Sequence, residues 1–135
     1  MGLRQGTGTT GRFPGARDAA FVDRCRQFFL RQVEIQRPRL ILTLGTWVPA
    51  FLAPLSVQLK AWEKVRSMIS LDAVGPLVSD VRFQNTTSSC TVVALTHPSL
   101  RGPNVGRRRF RTFIGHEAEV EMLREGIGKE PFRTL

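Results

Sequence analysis

Leu40-Ile41-Leu42-Thr43-Leu44-Gly45-Thr46 is the stretch that decides the fold. It is a continuous apolar run of strand length, bounded by Pro38 on one side and Gly45 on the other. Continuity rather than alternation is what a strand covered on both faces requires, and parallel strands of α/β sheets are covered in that way. Helical patterns flank the run. Upstream, Asp18 is placed to cap a helix in which Phe21, Cys25, Phe28, Phe29 and Val33 recur at three- and four-residue spacing. Arg24, Arg26 and Arg31 are expected on its other face, and Pro38 stops it after Gln36. Downstream, Gly45-Thr46 turns the chain into a second helix, with Thr46 expected as N-cap. Pro49 is tolerated there because first-turn amides lack helical partners.

Leu55, Leu59, Trp62 and Val65 predict a helix over 55–70 that packs on the sheet. Leu77 to Phe83 reads as a short edge strand, and Cys90-Thr91-Val92-Val93-Ala94-Leu95 as a second buried strand ending in Thr96-His97-Pro98-Ser99. A last helix is expected from His116 to about Ile127, with Gly126 and Gly128 as stop signals and Glu117, Glu119 and Glu121 favouring its N-terminal half. The alternation predicts an α/β fold, an open parallel β-sheet flanked by helices. Residues 1–17 read as an irregular approach, 18–128 as the domain and 129–135 as a tail. Ligands of such sheets bind beyond the carboxyl ends of the strands, where Gly45-Thr46 and His97-Pro98-Ser99 both fall. A Gly-Thr turn into a helix can hold a phosphate on its outward amides, although many such turns hold only water.

The chain has 135 residues, of which 41% are hydrophobic, enough for one modest core. Its formal charge of +9 favours a polyanionic partner. The excess is local: Arg101, Arg107, Arg108, Arg109 and Arg111 lie in a segment without an acid, whereas Leu71 to Ser99 carries Arg82 against Asp72 and Asp80. Such a patch points to phosphate contact, with a merely solvated loop as the alternative. Cys25 and Cys90 are the only thiols, which excludes a disulfide framework or a four-thiolate metal or iron-sulfur site built within this chain; no cofactor or metal is expected. No run approaches a membrane span and the N-terminus lacks the apolar segment of a signal peptide, so the cytoplasm is the expected compartment and a membrane is not an expected partner.

The strand entering Thr96-His97-Pro98-Ser99, the arginine-rich loop after it, the final helix, and the upstream Gln36-Arg37-Pro38-Arg39-Leu40-Ile41-Leu42-Thr43-Leu44-Gly45 together resemble the C-terminal portion of the uracil-DNA glycosylase superfamily, over about Phe13 to Leu123. The resemblance implies a three-layer glycosylase-like fold and hydrolysis of the bond between a damaged base, usually uracil, and deoxyribose after the nucleotide has been flipped from the stack. By resemblance, His97 would hydrogen-bond a uracil carbonyl and stabilise the anionic leaving base. Pro98 and Ser99 would hold a flanking phosphate, Leu100 and Arg101 would form the wedge that fills the vacated space, and Gly45-Thr46 would touch the DNA backbone. Arg107, Arg108 and Arg109 match no family motif and are expected only to attract phosphate. A histidine that merely caps a strand end and a Leu100 packed as an ordinary loop residue remain open.

The chain also departs from the family. Members carry a first strand with a Gly- and Pro-containing loop that positions the attacking water, then a second strand with an Asn that reads the uracil edge, and neither is found here. The chain thus looks like a fragment or the product of a late start codon, incomplete at its N-terminus and expected to be inactive alone. The predicted function is a DNA base-excision glycosylase lacking its water-activating motif and acting as a monomer on DNA containing uracil or another damaged base. A non-catalytic DNA-binding remnant of the same fold is the alternative. An RNA-binding protein is disfavoured, since no aromatic-rich strand or RNA-binding signature appears.

Overall fold

The computed structural model describes residues 15–128, with the backbone alone at Leu100 and Arg101. The expected N-terminal approach up to residue 14 and the tail 129–135 lie outside the described residues. In chain order the elements are α1 (Ala19–Gln36), β1 (Leu40–Leu44), α2 (Trp47–Leu52), two 3₁₀ segments (Ala53–Leu55 and Val57–Trp62), α3 (Met68–Val74), β2 (Leu77–Val81) and β3 (Cys90–Leu95). A 3₁₀ turn (Pro98–Leu100), α4 (Arg101–Val105), the hairpin β4 (Arg109–Phe110) and β5 (Phe113–Ile114), and α5 (His116–Gly128) complete them.

The main sheet has the order β1-β3-β2. β1 and β3 are parallel, Leu40 beside Thr91 through Leu44 beside Leu95. β2 is antiparallel to β3, and its register slips between Val78 and Val81. The slip coincides with the positive φ of 55° at Asp80, the mark of a bulge that bends an edge strand. The expected all-parallel sheet is therefore a small mixed one. Loop length explains why β2 runs the other way: parallel strands need a crossover of a dozen or more residues, and only Arg82 to Ser89 separates β2 from β3.

β3 is the buried strand, with Cys90 to Ala94 all inside. β1 was expected to be buried as well, yet among the described residues it pairs on one side only, leaving Leu42 at 46% and Leu44 at 43% exposure. The side chains of Ile41, Val92 and Ala94 join the larger core with Leu30, Val33, Leu52 and Trp62. On the opposite face, α5 sets Ala118 and Met122 against Val93. Gly126, read from sequence as a stop signal, instead lies within α5 and lets it approach the sheet: a Cβ there would sit 2.9 Å from Val93 Cγ2.

Asp18 caps α1 as expected, its side chain accepting from the Phe21 amide. The inward stripe is rotated from the predicted one. Val22, Leu30 and Val33 are buried, while Phe28 is 65% exposed. Arg26 turns inward, donating from Nε to the Phe51 carbonyl at 2.9 Å and lying over the Phe51 ring. Leu55, Leu59, Trp62 and Val65 are core residues, but their helix over 55–70 does not form. The three-residue steps Leu59-Trp62-Val65 suit the tighter 3₁₀ winding, and Ser67 then starts α3 through a reciprocal cap with Ser70. Trp62 satisfies its indole N–H on the Gly75 carbonyl at 2.8 Å, a donor whose loss in a dry core costs about 1–3 kcal/mol. No helix among the described residues is long and apolar enough to cross a membrane.

Candidate nucleic-acid interface

The parallel pair β1 and β3 brings two loops to one sheet edge. Gly45 has φ of 87° and its amide donates to the Leu95 carbonyl at 2.9 Å, adding a rung beyond the strand ends. A Cβ on Gly45 would lie 3.3 Å from His97 Cβ, so the Gly-Thr turn and the histidine are in contact. Glycine serves both the left-handed backbone and the close approach. Thr46 is half-buried and has helical dihedrals, and its side chain makes no capping bond, contrary to expectation. With ψ of −18° its backbone already belongs to the turn of helix, so the extended conformation of an N-cap is not reached.

His97 is exposed. Its Nδ1 lies 3.1 Å from the Ser99 amide nitrogen and 2.7 Å from Ser99 Oγ. A backbone N–H can only donate, so Nδ1 is an acceptor, and the neutral ring carries its proton on Nε2. The 3₁₀ turn that begins at Pro98 brings the Ser99 amide back onto the ring. Pro98 and Ser99 are both exposed. The Leu100 and Arg101 side chains, expected to form the wedge, lie outside the described residues.

The arginines divide. Arg107 and Arg109 are exposed, as phosphate contacts need, and Arg109 donates from Nη1 to the Arg108 carbonyl at 2.9 Å. Arg111 pairs with Glu125, which raises its pKa further and offsets part of the loop's charge. Arg108 corrects the reading from sequence: it is fully buried and cannot meet a phosphate. Its Nη2 lies 2.8 Å from Asp72, its Nη1 2.7 Å from Glu119, and Nη2 also donates to the Ala94 carbonyl at 3.0 Å. The guanidinium fork thus ties α3, α5 and the end of β3 together. Two carboxylates compensate one buried cation there, which is why the side chain is held inside rather than released to solvent.

Glu119, which the sequence offers only as an acid favouring the N-terminal half of α5, is buried at the centre of the site. One oxygen, Oε2, accepts from the Thr96 amide at 2.7 Å, from Thr96 Oγ1 at 2.6 Å and from Arg108 Nη1 at 2.7 Å. Its signal in the sequence is positional: with Ala118, Met122 and Gly126 it forms the buried stripe of α5, and a carboxylate on such a stripe demands partners. Asp72 also accepts from the Arg109 amide at 2.9 Å, which fixes the start of the hairpin. Among the described residues no group of His, Cys, Asp and Glu is arranged to hold a metal ion. No protein-family model matches the chain, and no curated protein or solved structure shows significant similarity to it.

Proposed function

We propose that the chain contributes the base-stabilising edge of a DNA base-excision glycosylase that acts on a flipped uracil or related deaminated base, with the uracil-DNA glycosylase-like fold its sequence resembles. The observation that carries the reading is the exposed His97 at the carboxyl end of β3, with Nδ1 engaged by Ser99 and a proton left on Nε2 to donate outward. When the glycosidic C–N bond breaks, its electron pair leaves with the base and spreads onto the ring carbonyls. A fixed neutral N–H donor at that oxygen lowers the barrier, and one such donor is worth about 10²–10³ in rate. Gly45 lets the turn after β1 pack directly against His97, and exposed Arg107 and Arg109 supply attraction for the DNA backbone.

Asp72 and Glu119 are engaged with Arg108, and Glu119 also with Thr96, so neither is disposed to activate water. The water-positioning role is given to no described residue. The test uses the full chain with a single-uracil oligonucleotide, measuring binding and uracil release for the parent and for His97→Ala. Release that falls by about two orders of magnitude supports the reading. Because no described residue positions water, binding is the deciding readout where the parent releases no base. Tighter binding to the uracil oligonucleotide than to its thymine counterpart, weakened by His97→Ala, supports the reading, and equal binding to both favours the non-catalytic alternative. Release that changes less than about tenfold removes His97 from the role.

A further inference from the structure

We infer that Glu119 is the positioning residue for His97, a role that rests on the glycosylase reading for its consequence but on geometry for its existence. The β1-β3 ladder ends where Gly45 donates to the Leu95 carbonyl. The amide that follows, Thr96 N–H, lies on the β2 side of β3, one rung beyond the bond from Ala94 N–H to the Pro76 carbonyl, and there the Glu119 carboxylate supplies its acceptor at 2.7 Å. The same oxygen takes the Thr96 hydroxyl at 2.6 Å, so the peptide entering His97 is held from two atoms of one residue. Arg108 holds the same segment through the Ala94 carbonyl while compensating the charge of Glu119. Thr96, Arg108 and Glu119 are buried at 4%, 0% and 2% exposure, so water does not compete for these bonds.

Beyond this clamp the chain becomes exposed at once, at His97, Pro98 and Ser99. The direction in which the imidazole leaves the sheet is therefore set by the last fixed peptide, and the Ser99 bond to Nδ1 forms only if that direction is kept. A buried ion cluster contributes less to stability than apolar packing of the same volume would, and here its directed bonds to the Thr96 amide and hydroxyl and to the Ala94 carbonyl hold one arrangement of the strand end. Placed one residue before the exposed histidine, that geometry governs the aim of Nε2–H.

The test reads the ring directly, in the free protein. Ring ¹⁵N shifts of His97 and amide exchange of Thr96 and Ser99 are compared for the parent, Glu119→Gln, Thr96→Val and Thr96→Ser. Glu119→Gln and Thr96→Val should move the His97 ring signals toward a mixture of tautomers and speed Ser99 exchange about tenfold, the scale expected when charge-assisted bonds become neutral or are lost. Thr96→Ser keeps the hydroxyl and should resemble the parent. In the oligonucleotide assay, the preference for uracil over thymine should fall, with affinity for the DNA backbone nearly unchanged. Folded variants with parental ring shifts and exchange would overturn the proposal. Should Glu119→Gln not fold, the contrast between Thr96→Val and Thr96→Ser decides. Ring movement in a parent that binds uracil and thymine oligonucleotides equally supports the positioning role and counts against the glycosylase reading.

Discussion

Replacing Arg108 by alanine removes the one cation from a cluster of two carboxylates. In the native protein its Nε, Nη1 and Nη2 donate to Asp72, Glu119 and the Ala94 carbonyl, and its side chain is fully buried. Breaking a buried ion pair by removing one partner costs about 3–5 kcal/mol, because the remaining charge stays desolvated. Both carboxylates keep other donors: Glu119 retains Thr96, and Asp72 retains the Arg109 amide. We therefore expect the lower part of that range, about 3 kcal/mol. With a urea m-value of about 1–3 kcal/mol per M, the midpoint should fall by roughly 1.5 M, with m unchanged. The exposed Arg107→Ala serves as control and should stay within about 0.5 kcal/mol. A loss below about 1 kcal/mol for Arg108→Ala would refute the buried clamp and return Arg108 to the surface role suggested by its sequence context.

Gly126→Ala should destabilise by up to about 2 kcal/mol in thermal or urea unfolding, since its Cβ would meet Val93 Cγ2 at 2.9 Å and an overpacking cost of about 1–3 kcal/mol is offset by alanine's helix advantage of about 1 kcal/mol; a gain in stability would contradict the close approach of α5 to β3. Gly45→Ala combines a φ of 87° with a Cβ 3.3 Å from His97 Cβ, so it should lower both stability, by about 1–3 kcal/mol, and oligonucleotide affinity; normal affinity would separate the turn from the interface. Arg107→Ala should reduce the salt dependence of DNA binding by about one unit of slope without altering base preference, and an unchanged slope would remove it from the backbone contact.

The strands were legible in the sequence because β-branched and apolar runs between turn residues have few alternatives: β1, β3 and the limits of α1 and α5 lie where the pattern puts them. Depth within the sheet was not legible. Leu42 and Leu44 look as apolar as Val92 and Val93, and only tertiary pairing distinguishes an edge from a centre. The face of α1 was misread because Phe28 and Arg26 exchange the positions their polarity suggests, the guanidinium bonding the end of α2. In the site, the neighbours Gly45 and His97 follow from their common place at strand ends. Arg108 was hidden among four other arginines. Charge density along the chain marks a patch but does not say which member turns inward, and the partners that turn it, Asp72 and Glu119, are 36 and 11 residues away.

We propose that one edge of the sheet, at the ends of β1 and β3, faces a nucleotide released from its duplex. Amide and side-chain NMR signals recorded while the full chain is titrated with an oligonucleotide holding one uracil test it most directly. Perturbations are expected to concentrate at Gly45, Thr46, His97, Ser99, Arg107 and Arg109, with the His97 Nε2–H signal moving furthest and the signals of buried Arg108 shifting little. Saturating shifts centred on α1 instead, with His97 and Gly45 unmoved, would contradict it.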